Sequence, residues 1–367
     1  MFTEEQIKNA LEKVIHPEKK ENIISLGIVQ QIESDDTGIT ITLLREKASD
    51  PFFSSIKSNI TRAIKDTLGT DAVVKEIKVT EKSKPAEEIR AVDDNLPGVK
   101  NIIAVASGKG GVGKSTIALN LAIGLSLKGY KTGLLDADIF GPSVPVMLDV
   151  KDFRPQVKNI NGKDIIAPLE KYGIKVLSIG FFVEPDSAVV WRGPMASNFL
   201  KQMLSMTDWG NLDYLIIDLP PGTSDIHLTL VQEVAVTGAI IVSTPQEVAL
   251  ADAVKGIAMF RNEKINVPVI GIVENMSWFT PAELPSNRYY IFGKEGCRAL
   301  SEKMNVPLLG QIPLVQSIRE GCDTGRPVVL DSNNPASEAF LALAEKVVEK
   351  VSERNKNIKP TERVKIN

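Results

Sequence analysis

The stretch VASGKGGVGKSTIALN, residues 105–120, constrains the fold of this chain more than any other. Residues 108–115 match the pattern G-x-x-x-x-G-K-[ST], between an apolar run that predicts a strand and a run that predicts a helix. A strand–loop–helix unit of this kind favours a parallel α/β sheet. The glycines let the backbone turn tightly and aim N–H groups at phosphate oxygens: Gly108, Gly110, Gly111 and Gly113.

The residues that end this loop predict how a nucleoside triphosphate is held. Lys114 is expected to contact the β- and γ-phosphates, and the Ser115 hydroxyl to ligate Mg²⁺. Thr116 is expected to support the α-phosphate, at the positive end of the helix dipole. The alternative is a glycine-rich turn that binds no ligand. The predicted nucleotide-binding set is Gly108, Gly110, Gly111, Val112, Gly113, Lys114, Ser115 and Thr116.

Three aspartates follow predicted strands and supply candidate catalytic groups. Asp218 ends the apolar run YLIID, before a Pro-Pro-Gly turn, and is expected to hold Mg²⁺ through a water. Asp138, in LLDADIFGPS, is the candidate that positions the attacking water, with Asp136 in a supporting role. The alternatives are a strand-capping role for Asp218 and a helix-capping role for Asp136 and Asp138.

A second lysine, Lys109, lies inside the loop. It cannot easily reach its own nucleotide while Lys114 occupies that position, so we expect its side chain to point outward. Two copies docked loop to loop would each place this charge at the phosphates held by the other. That is the role of an arginine finger, which accelerates phosphoryl transfer by roughly 10³–10⁵. The alternative is a solvated loop lysine.

Hydrophobic patterning divides the chain into domains. Residues 1–80 predict a small α+β unit, which begins with a possible capping box of Thr3 and Gln6. Residues 81–98 are dense in charge and contain two prolines, which predicts a linker. Residues 99–354 alternate apolar strands with helices, which predicts a doubly wound, mostly parallel sheet. Residues 355–367 predict a charged flexible tail.

Composition restricts the classes of function. A formal net charge of −3 over 367 residues gives no general case for nucleic-acid or membrane binding. The N-terminus lacks the pattern of a signal peptide and no apolar run is long enough to span a bilayer, so we expect a cytoplasmic protein. Cys297 and Cys322 are the only cysteines, and neither belongs to a C-x-x-C pair. We expect two free thiols rather than a disulfide.

KGGVGKST, DAD and DLPPGTSD together resemble the deviant Walker A ATPases, over about residues 99–350. This family includes partition and septum-site ATPases and the nitrogenase iron protein. The resemblance implies that the nucleotide is ATP and that the protein is an ATP-dependent homodimer in which Lys109 acts across the interface. It also implies that Asn275, in IVENMSWF, hydrogen-bonds adenine, with the segment after QIPL closing the base pocket.

Three further segments, DLPPGTSDIHLTL, ENMSWF and YYIFGKEG, are most similar to the Mrp/ApbC-type iron–sulfur cluster carriers. VIHPEKKENIISLGIVQQI resembles the small domain of iron–sulfur assembly factors, which is commonly fused to those carriers. Together the two resemblances imply an ATP-hydrolysing protein that delivers iron–sulfur clusters or helps to insert them. The implied partners are iron–sulfur apoproteins or assembly scaffold proteins.

This sequence departs from those carriers at their cluster ligands. They have C-x-x-C shortly after ENMS, where this chain has Pro281 and Leu284, and neither residue can ligate iron. Cys297 lies just beyond and is the remaining candidate ligand. One thiol per subunit would give a dimer only two ligands, so a bridging cluster would need outside help. The alternative is a structural role for Cys297, as we expect for Cys322.

Two other functions are distinguishable from the sequence. A positioning ATPase of the ParA/MinD type would bind DNA or a membrane as an ATP dimer. The ending KNIKPTERVKIN has only scattered Val and Ile as apolar anchors, and composition does not suggest a basic surface. A redox protein like the nitrogenase iron protein would need the missing cysteines. His227, at the start of a predicted helix, is expected to pack rather than to bind a metal.

Overall fold

The computed structural model describes residues 2–17, 20–35, 38–45, 53–69, 71–81, 95–160, 162–183, 193–223, 225–281, 283–284 and 286–364. The chain divides into two compact units, residues 1–88 and 89–367. Each unit has its own cluster of buried hydrophobic residues. Most of the predicted linker, residues 82–94, lies outside the described residues.

The N-terminal unit combines three strands with two helices. Their bounds are α1 Glu4–Leu11, β1 Val29–Asp35, β2 Gly38–Arg45, α2 Phe53–Leu68 and β3 Val74–Glu81. The sheet order is β1–β2–β3, with β1 antiparallel and β3 parallel to β2. The Thr3 hydroxyl accepts the Gln6 N–H, and the Gln6 side chain accepts the Thr3 N–H. The predicted capping box is therefore confirmed.

The core of this unit follows from two periodicities. Ile56, Ile60 and Ile64 recur every four residues and so share one face of α2, and all three are fully buried. In β2, alternate residues point to the same side of the sheet. Its buried residues are Ile39, Ile41 and Leu43.

Ten strands are found in the described part of the C-terminal unit. Their bounds are β4 Ile102–Ser107, β5 Thr132–Asp136, β6 Val157–Ile160, β7 Lys163–Ile166, β8 Leu169–Lys171, β9 Ile174–Ser178, β10 Tyr214–Asp218, β11 Gly238–Ser243, β12 Val269–Glu274 and β13 Leu308–Gln311. Every residue of β4, β5, β10 and β11 is buried. Continuous apolar runs of this kind suit strands that are covered on both faces.

Eight of these strands form one sheet in the order β13–β12–β11–β4–β10–β5–β9–β8. Its strand pairs are parallel except for β8, which runs antiparallel to β9. The chain moves from β4 to β5 toward one edge, and from β10 through β11 to β13 toward the other. Because such crossovers are right-handed, the reversal places the connecting helices on opposite faces. The predicted doubly wound sheet is confirmed, and ligands are expected at its carboxyl edge near β4 and β10.

Eight helices of the C-terminal unit are described. Their bounds are α3 Lys114–Leu127, α4 Val144–Met147, α5 Gly193–Ser205, α6 Asp225–Glu233, α7 Glu247–Arg261, α8 Gly296–Met304, α9 Gln316–Asp323 and α10 Pro335–Asn357. Helix α3 packs against α10, α5 against α6, and α7 against α8. Within the described ranges, none of the helices has the length and apolar content needed to cross a membrane.

Four of the strands were not predicted from the sequence. β6 and β7 form a two-stranded antiparallel hairpin outside the large sheet, and Ile166 of β7 also bridges Thr207. β8 has three residues and β13 has four, and each lies at an edge of the large sheet. Such short strands take their structure from the neighbour with which they pair, because their own patterns are too brief to predict it.

The sequence predicts a flexible C-terminal tail that begins at residue 355. The structure differs from this prediction in where the tail begins. Helix α10 continues to Asn357. Beyond it, Arg354 Nη2 donates to the carbonyl oxygen of Lys359 at 2.9 Å and to Thr361 Oγ1 at 2.7 Å. The Val364 N–H donates to the carbonyl oxygen of Val231 at 2.8 Å. These contacts dock residues 359–364 on the body of the unit, against the expectation from their charge.

Candidate nucleotide site

The glycine-rich loop connects β4 to α3 at the carboxyl edge of the sheet. Gly111 and Gly113 both have a φ of +81°, which glycine adopts without a steric penalty. A Cβ on Gly108 would lie 2.3 Å from the carbonyl oxygen of Asp252 in α7. Only glycine fits at this close approach. The loop ends at the N-terminus of α3, where free N–H groups attract anions.

Three of the predicted charged residues meet beside this loop. Lys114 Nζ lies 2.5 Å from Asp218 Oδ1 and 3.5 Å from Asp138 Oδ2. Lys114 is 6% exposed and Asp218 is fully buried. Burial raises the pKa of Asp218, while the Lys114 ammonium acts in the opposite direction. Because a lone buried charge is costly, the lysine and the aspartates stabilise one another.

Asp136 is anchored by hydrogen bonds. Its Oδ2 accepts from Ser178 Oγ at 2.8 Å and from the Val144 N–H at 3.3 Å. Its Oδ1 accepts from the Asp138 N–H at 3.2 Å. Burial, together with the nearby charge of Asp218, raises the pKa of Asp136 to about 7. Asp136 therefore fixes the segment after β5 and orients Asp138, a geometry that suits the supporting role predicted for it.

One oxygen of the Asp218 carboxylate is available to bind a further ligand. Its Oδ2 is buried and has no hydrogen-bond partner among the residues that the structure describes, although buried polar atoms are normally paired. Mg²⁺ is usually bound by one or two carboxylates together with waters and phosphate oxygens. The Ser115 hydroxyl lies 3.3 Å from Lys114 Nζ, which itself contacts Asp218. These residues fit a Mg²⁺ ion that is also bound by the oxygens of a triphosphate.

A metal site made of protein side chains alone is not found in the part of the chain that the structure describes. No group of three or more His, Cys, Asp or Glu side chains there could hold an ion. A P-loop site differs, because the nucleotide supplies some of the ligands. The fit of Mg²⁺ therefore depends on phosphate oxygens arriving with it.

Lys109 occupies a different place from Lys114. The Ser107 hydroxyl donates to the carbonyl oxygen of Lys109 at 2.9 Å and holds its backbone. The side chain reaches the start of α7, where Nζ lies 3.5 Å from Gln246 Oε1. This contact is long and its acceptor is a neutral amide, so little free energy holds the ammonium there. The side chain of Lys109 is thus directed away from the Lys114–Asp218 pair.

Two other predicted residues are Thr116, in the first turn of α3, and Asn275, which contacts the loop. The Thr116 hydroxyl lies 3.8 Å from Met147 Sδ in α4. Asn275 follows β12, is 6% exposed, and its Nδ2 donates to the carbonyl oxygen of Val112 at 2.8 Å. The structure thus brings Asn275 under the phosphate loop, 163 positions away in sequence. The adenine contact implied by the resemblance stays a prediction.

Cys297 lies in the core, at the start of α8. It is fully buried, its N–H donates to Glu274 Oε2 at 2.7 Å, and its Sγ is 4.0 Å from the carbonyl oxygen of Thr244. Burial, followed by the charge of Glu274, raises the pKa of the Cys297 thiol. Cluster ligands are thiolates at accessible positions. This environment suits the structural alternative for Cys297 rather than the ligand role. Burial also raises the pKa of the half-buried Cys322.

Pro281 and Leu284, where the resemblance would place the carriers' cysteines, lie in residues 278–291, which we call the aromatic hairpin. Phe279 and Tyr289 exchange two backbone hydrogen bonds, of 2.8 and 2.9 Å, that close it. The Leu284 N–H donates to the carbonyl oxygen of Pro281 at 3.1 Å. These two positions therefore lie on one turn, as a C-x-x-C pair would.

Comparison with known proteins accounts for both units. Residues 98–348 match the family described as the NUBPL iron-transfer P-loop NTPase, and residues 4–79 match the iron–sulfur cluster assembly protein family. The first match covers more than half of the chain. The chain belongs to the iron-transfer P-loop NTPase family. The resemblance drawn from KGGVGKST, DLPPGTSD and ENMSWF is confirmed, including its N-terminal domain.

This iron-transfer P-loop NTPase has close relatives over most of its length. It is 41% identical over 353 residues to the iron–sulfur cluster carrier protein of Synechocystis sp., covering 96% of this chain and 99% of the relative. It is 49% identical over 270 residues to the iron–sulfur protein required for NADH dehydrogenase, mitochondrial, of Arabidopsis thaliana, covering 73% and 84% of the two chains.

Solved structures confirm the α/β P-loop fold of this NTPase. The nucleotide-binding protein of Archaeoglobus fulgidus in complex with ADP is 35% identical, with a TM-score of 0.57, covering 68% of this chain and 95% of the other. The cell division ATPase MinD of Pyrococcus furiosus is 25% identical, with a TM-score of 0.50, covering 68% and 98%.

Sequence reasoning missed two residues of this NTPase that organise the site. Ser178 ends β9 and donates to Asp136, and its place after an apolar strand was the available signal. Glu274 is fully buried at the end of β12 and accepts from the Cys297 N–H and from Gln311 Nε2, each at 2.7 Å. No pattern predicted its partners. His227 is 1% exposed and packs against the ring of Phe260, as expected.

Proposed function

We propose that this chain is a homodimeric ATPase that delivers iron–sulfur clusters, or helps to insert them, into apoproteins. The observation that carries the proposal is the buried cluster of Lys114, Asp138 and Asp218 beside a complete phosphate loop. It occurs in a chain matched over 96% of its length to an iron–sulfur cluster carrier protein. The partners would be apoproteins or assembly scaffolds. The cytoplasmic location stays a prediction.

The described side chains divide the work of ATP hydrolysis. The loop N–H groups and Lys114 bind the phosphates, and Ser115 and Asp218 would hold Mg²⁺. When bound, Mg²⁺ supplies positive charge to the β- and γ-phosphate oxygens. Asp138, oriented through Asp136, would accept a hydrogen bond from the attacking water and place its oxygen in line. Burial of these groups excludes bulk water and strengthens each electrostatic contact.

The homodimer rests on Lys109. Its ammonium points away from its own loop and contacts the neutral amide of Gln246. Breaking that contact to reach a phosphate of a second subunit would therefore cost little free energy. In that position it would stabilise the charge that develops on the transferred phosphoryl group. Lys109→Ala is therefore expected to keep ATP binding and to lose most hydrolysis and ATP-dependent dimerisation. Light scattering with and without ATP, beside a phosphate-release assay, measures both losses.

Cluster handling needs a separate account, because the described cysteines are poor ligands. Cys297 is buried and Cys322 is half-buried, and burial raises both thiol pKa values. We infer that ATP binding and hydrolysis drive assembly or transfer of clusters held by a partner protein. The alternative, direct carriage through Cys297, requires a thiolate from the core.

The test uses anaerobic reconstitution with iron and sulfide. Wild type and Cys297→Ala are expected to take up equally little iron and to lack a visible chromophore. The variant Pro281→Cys/Leu284→Cys restores two thiols on one turn and is expected to gain a chromophore. With a cluster-loaded scaffold protein and an apo-enzyme, wild type plus ATP should speed activation, and Lys114→Ala should not. A cysteine-dependent chromophore in the wild type would favour direct carriage, and no effect of ATP on transfer would contradict the proposal.

A further inference from the structure

Asn275 donates its side-chain amide to the phosphate loop at a buried point. Its Nδ2 lies 2.8 Å from the carbonyl oxygen of Val112, and the two residues are 6% and 2% exposed. We propose that Asn275 is the positioning residue of this loop: by holding the Val112 carbonyl, it aims the next N–H at the phosphates. This role concerns the shape of the loop and is independent of the nucleotide's base.

The peptide between Val112 and Gly113 determines where the Gly113 N–H points. This peptide is trans and planar, so its C=O and N–H point in opposite directions. Asn275 holds the carbonyl oxygen on the protein side of the loop. The N–H of Gly113 must then point to the other side. Without the amide, the peptide plane would be free to rotate, and the loop would lose a donor aimed at its ligand.

A buried carbonyl also needs a donor for its own sake. An unpaired backbone oxygen in the interior costs free energy comparable to a lost hydrogen bond. Asn275 supplies that donor from a strand distant in sequence. Its amide lies so close to the loop that a Cβ on Gly113 would be 2.2 Å from Nδ2. Together with its φ of +81°, this contact requires glycine at position 113.

The amide can position the loop because Asn275 is itself held firmly. Its N–H donates to the carbonyl oxygen of Ser243, at the end of β11, at 2.8 Å. On one side, buried Glu274 accepts two hydrogen bonds of 2.7 Å. On the other side, Ser277 donates its N–H to the carbonyl oxygen of Ile312 at 3.0 Å. Hydrogen bonds thus connect the segment around Asn275 to the ends of β11, β12 and β13. These connections hold Asn275 rigidly.

Positioning and adenine reading predict different dependence on the ligand. A residue that shapes the loop affects every ligand with a triphosphate, whatever its base. A residue that reads adenine affects ATP and leaves a ligand without a base unchanged. Inorganic tripolyphosphate, which has no base, separates the two. The inference rests on the proposed function only in that the loop binds a triphosphate.

The experiment measures binding of ATP, GTP and tripolyphosphate to the full chain by calorimetry. The variants are Asn275→Ala and Asn275→Leu, and the second nearly keeps the size of the side chain, without adding a charge, if the first folds poorly. Ser277→Ala is the control, because it loses a buried hydrogen bond of the same segment without touching the loop. Both Asn275 variants should weaken all three ligands by the same factor, about tenfold, because the Gly113 N–H is then no longer aimed at the phosphates and one hydrogen bond to them is lost. Ser277→Ala should change none of them.

Two results would overturn the inference. One is unchanged tripolyphosphate binding with weaker ATP binding and a relaxed preference for ATP over GTP, which would assign Asn275 to adenine. The other is unchanged binding of all three ligands in folded Asn275 variants. A wild type that binds tripolyphosphate yet neither hydrolyses ATP nor dimerises would contradict the proposed function alone. A wild type that binds none of the ligands would contradict both.

Discussion

The phosphate-loop region and the aromatic hairpin both follow strands at the carboxyl edge of the sheet, yet they are built differently. Lys114 is 6% exposed and Asp218 is fully buried, and both are held by short polar contacts. In the hairpin, Leu284, Tyr289 and Ile291 are 49%, 46% and 60% exposed. One region is a buried charged network, and the other is an exposed apolar turn.

The difference indicates why the two regions can change separately. A substitution in the buried network leaves a charge or a polar atom without its partner, which costs several kcal/mol. Turn positions such as the half-buried Pro281 and the exposed Leu284 lie outside the core, so substitutions there cost less. Residues of this turn can therefore change while the nucleotide site stays intact.

The largest expected effect comes from Lys114→Ala. This variant removes the cation that contacts both Asp218 and Asp138, and ATP affinity should fall by about a hundredfold or more. In a Pro281→Cys/Leu284→Cys background, iron uptake should stay the same, because the hairpin is a separate region. Calorimetry and iron analysis measure the two quantities.

The control for that prediction is Lys128→Ala, at the other end of α3. Its Nζ makes an ion pair of 2.5 Å with Glu345, whose side chain is 68% exposed. Such surface pairs contribute little, so ATP affinity should be unchanged. Unaltered ATP binding by Lys114→Ala would remove the basis for the assignment of the site.

A smaller effect is expected from Asp136→Asn, and it depends on pH. The pKa of Asp136 is raised from 3.8 to about 7 in the folded protein, so between these values folding takes up a proton. Wild-type stability therefore falls as pH rises from about 4 to 7, by about 1 kcal/mol per pH unit, and is constant above. Asp136→Asn lacks this carboxyl. From about pH 4 to 7, the free energy of unfolding of the wild type should therefore fall relative to that of the variant. Denaturant unfolding at pH 5, 6, 7 and 8 measures the trend, and a difference that does not vary with pH would contradict it.

The smallest effect is expected in the hairpin. The Arg288 guanidinium lies 4.2 Å from the centroid of the Trp278 ring, a geometry that contributes about 0.5–1 kcal/mol at exposed sites. Arg288→Ala should lower the free energy of unfolding by that amount and shift tryptophan fluorescence, with ATP affinity unchanged. Lys294→Ala, which removes a longer contact of 5.2 Å to Tyr290, is the matched control and should do less. A loss of ATP affinity in Arg288→Ala would show that the two regions are coupled.

Most of the fold was predictable because its central strands have strong local signals. The runs IIAVAS and YLIID are apolar at nearly every position, which only strands buried on both faces require. The contacts of Arg354 with Lys359 and of Val364 with Val231 could not be predicted from the charge of the tail, and its flexibility stays a prediction. β6 and β7 were missed since each has only four residues and both lie outside the large sheet.

Within the site, the sequence predicts residue types at strand ends but not their partners. The motif indicated Lys114, and the end of an apolar run indicated Asp218, whose approach to 2.5 Å requires the sheet. The hydrogen bond from Asn275 to Val112 joins segments 163 positions apart, and no local pattern encodes it. The burial of Cys297 likewise depends on Glu274 and Thr244, which come from other strands.

Mixing two inactive variants tests the central claim most directly. Lys109→Ala keeps Asp138 but cannot supply the lysine, and Asp138→Asn can supply the lysine but cannot position water. If each lysine serves the other subunit, mixed dimers contain one complete site, and an equal mixture should recover about a quarter of the wild-type rate of phosphate release. A mixture as inactive as its components, with mixed dimers present, would contradict a lysine that acts between subunits.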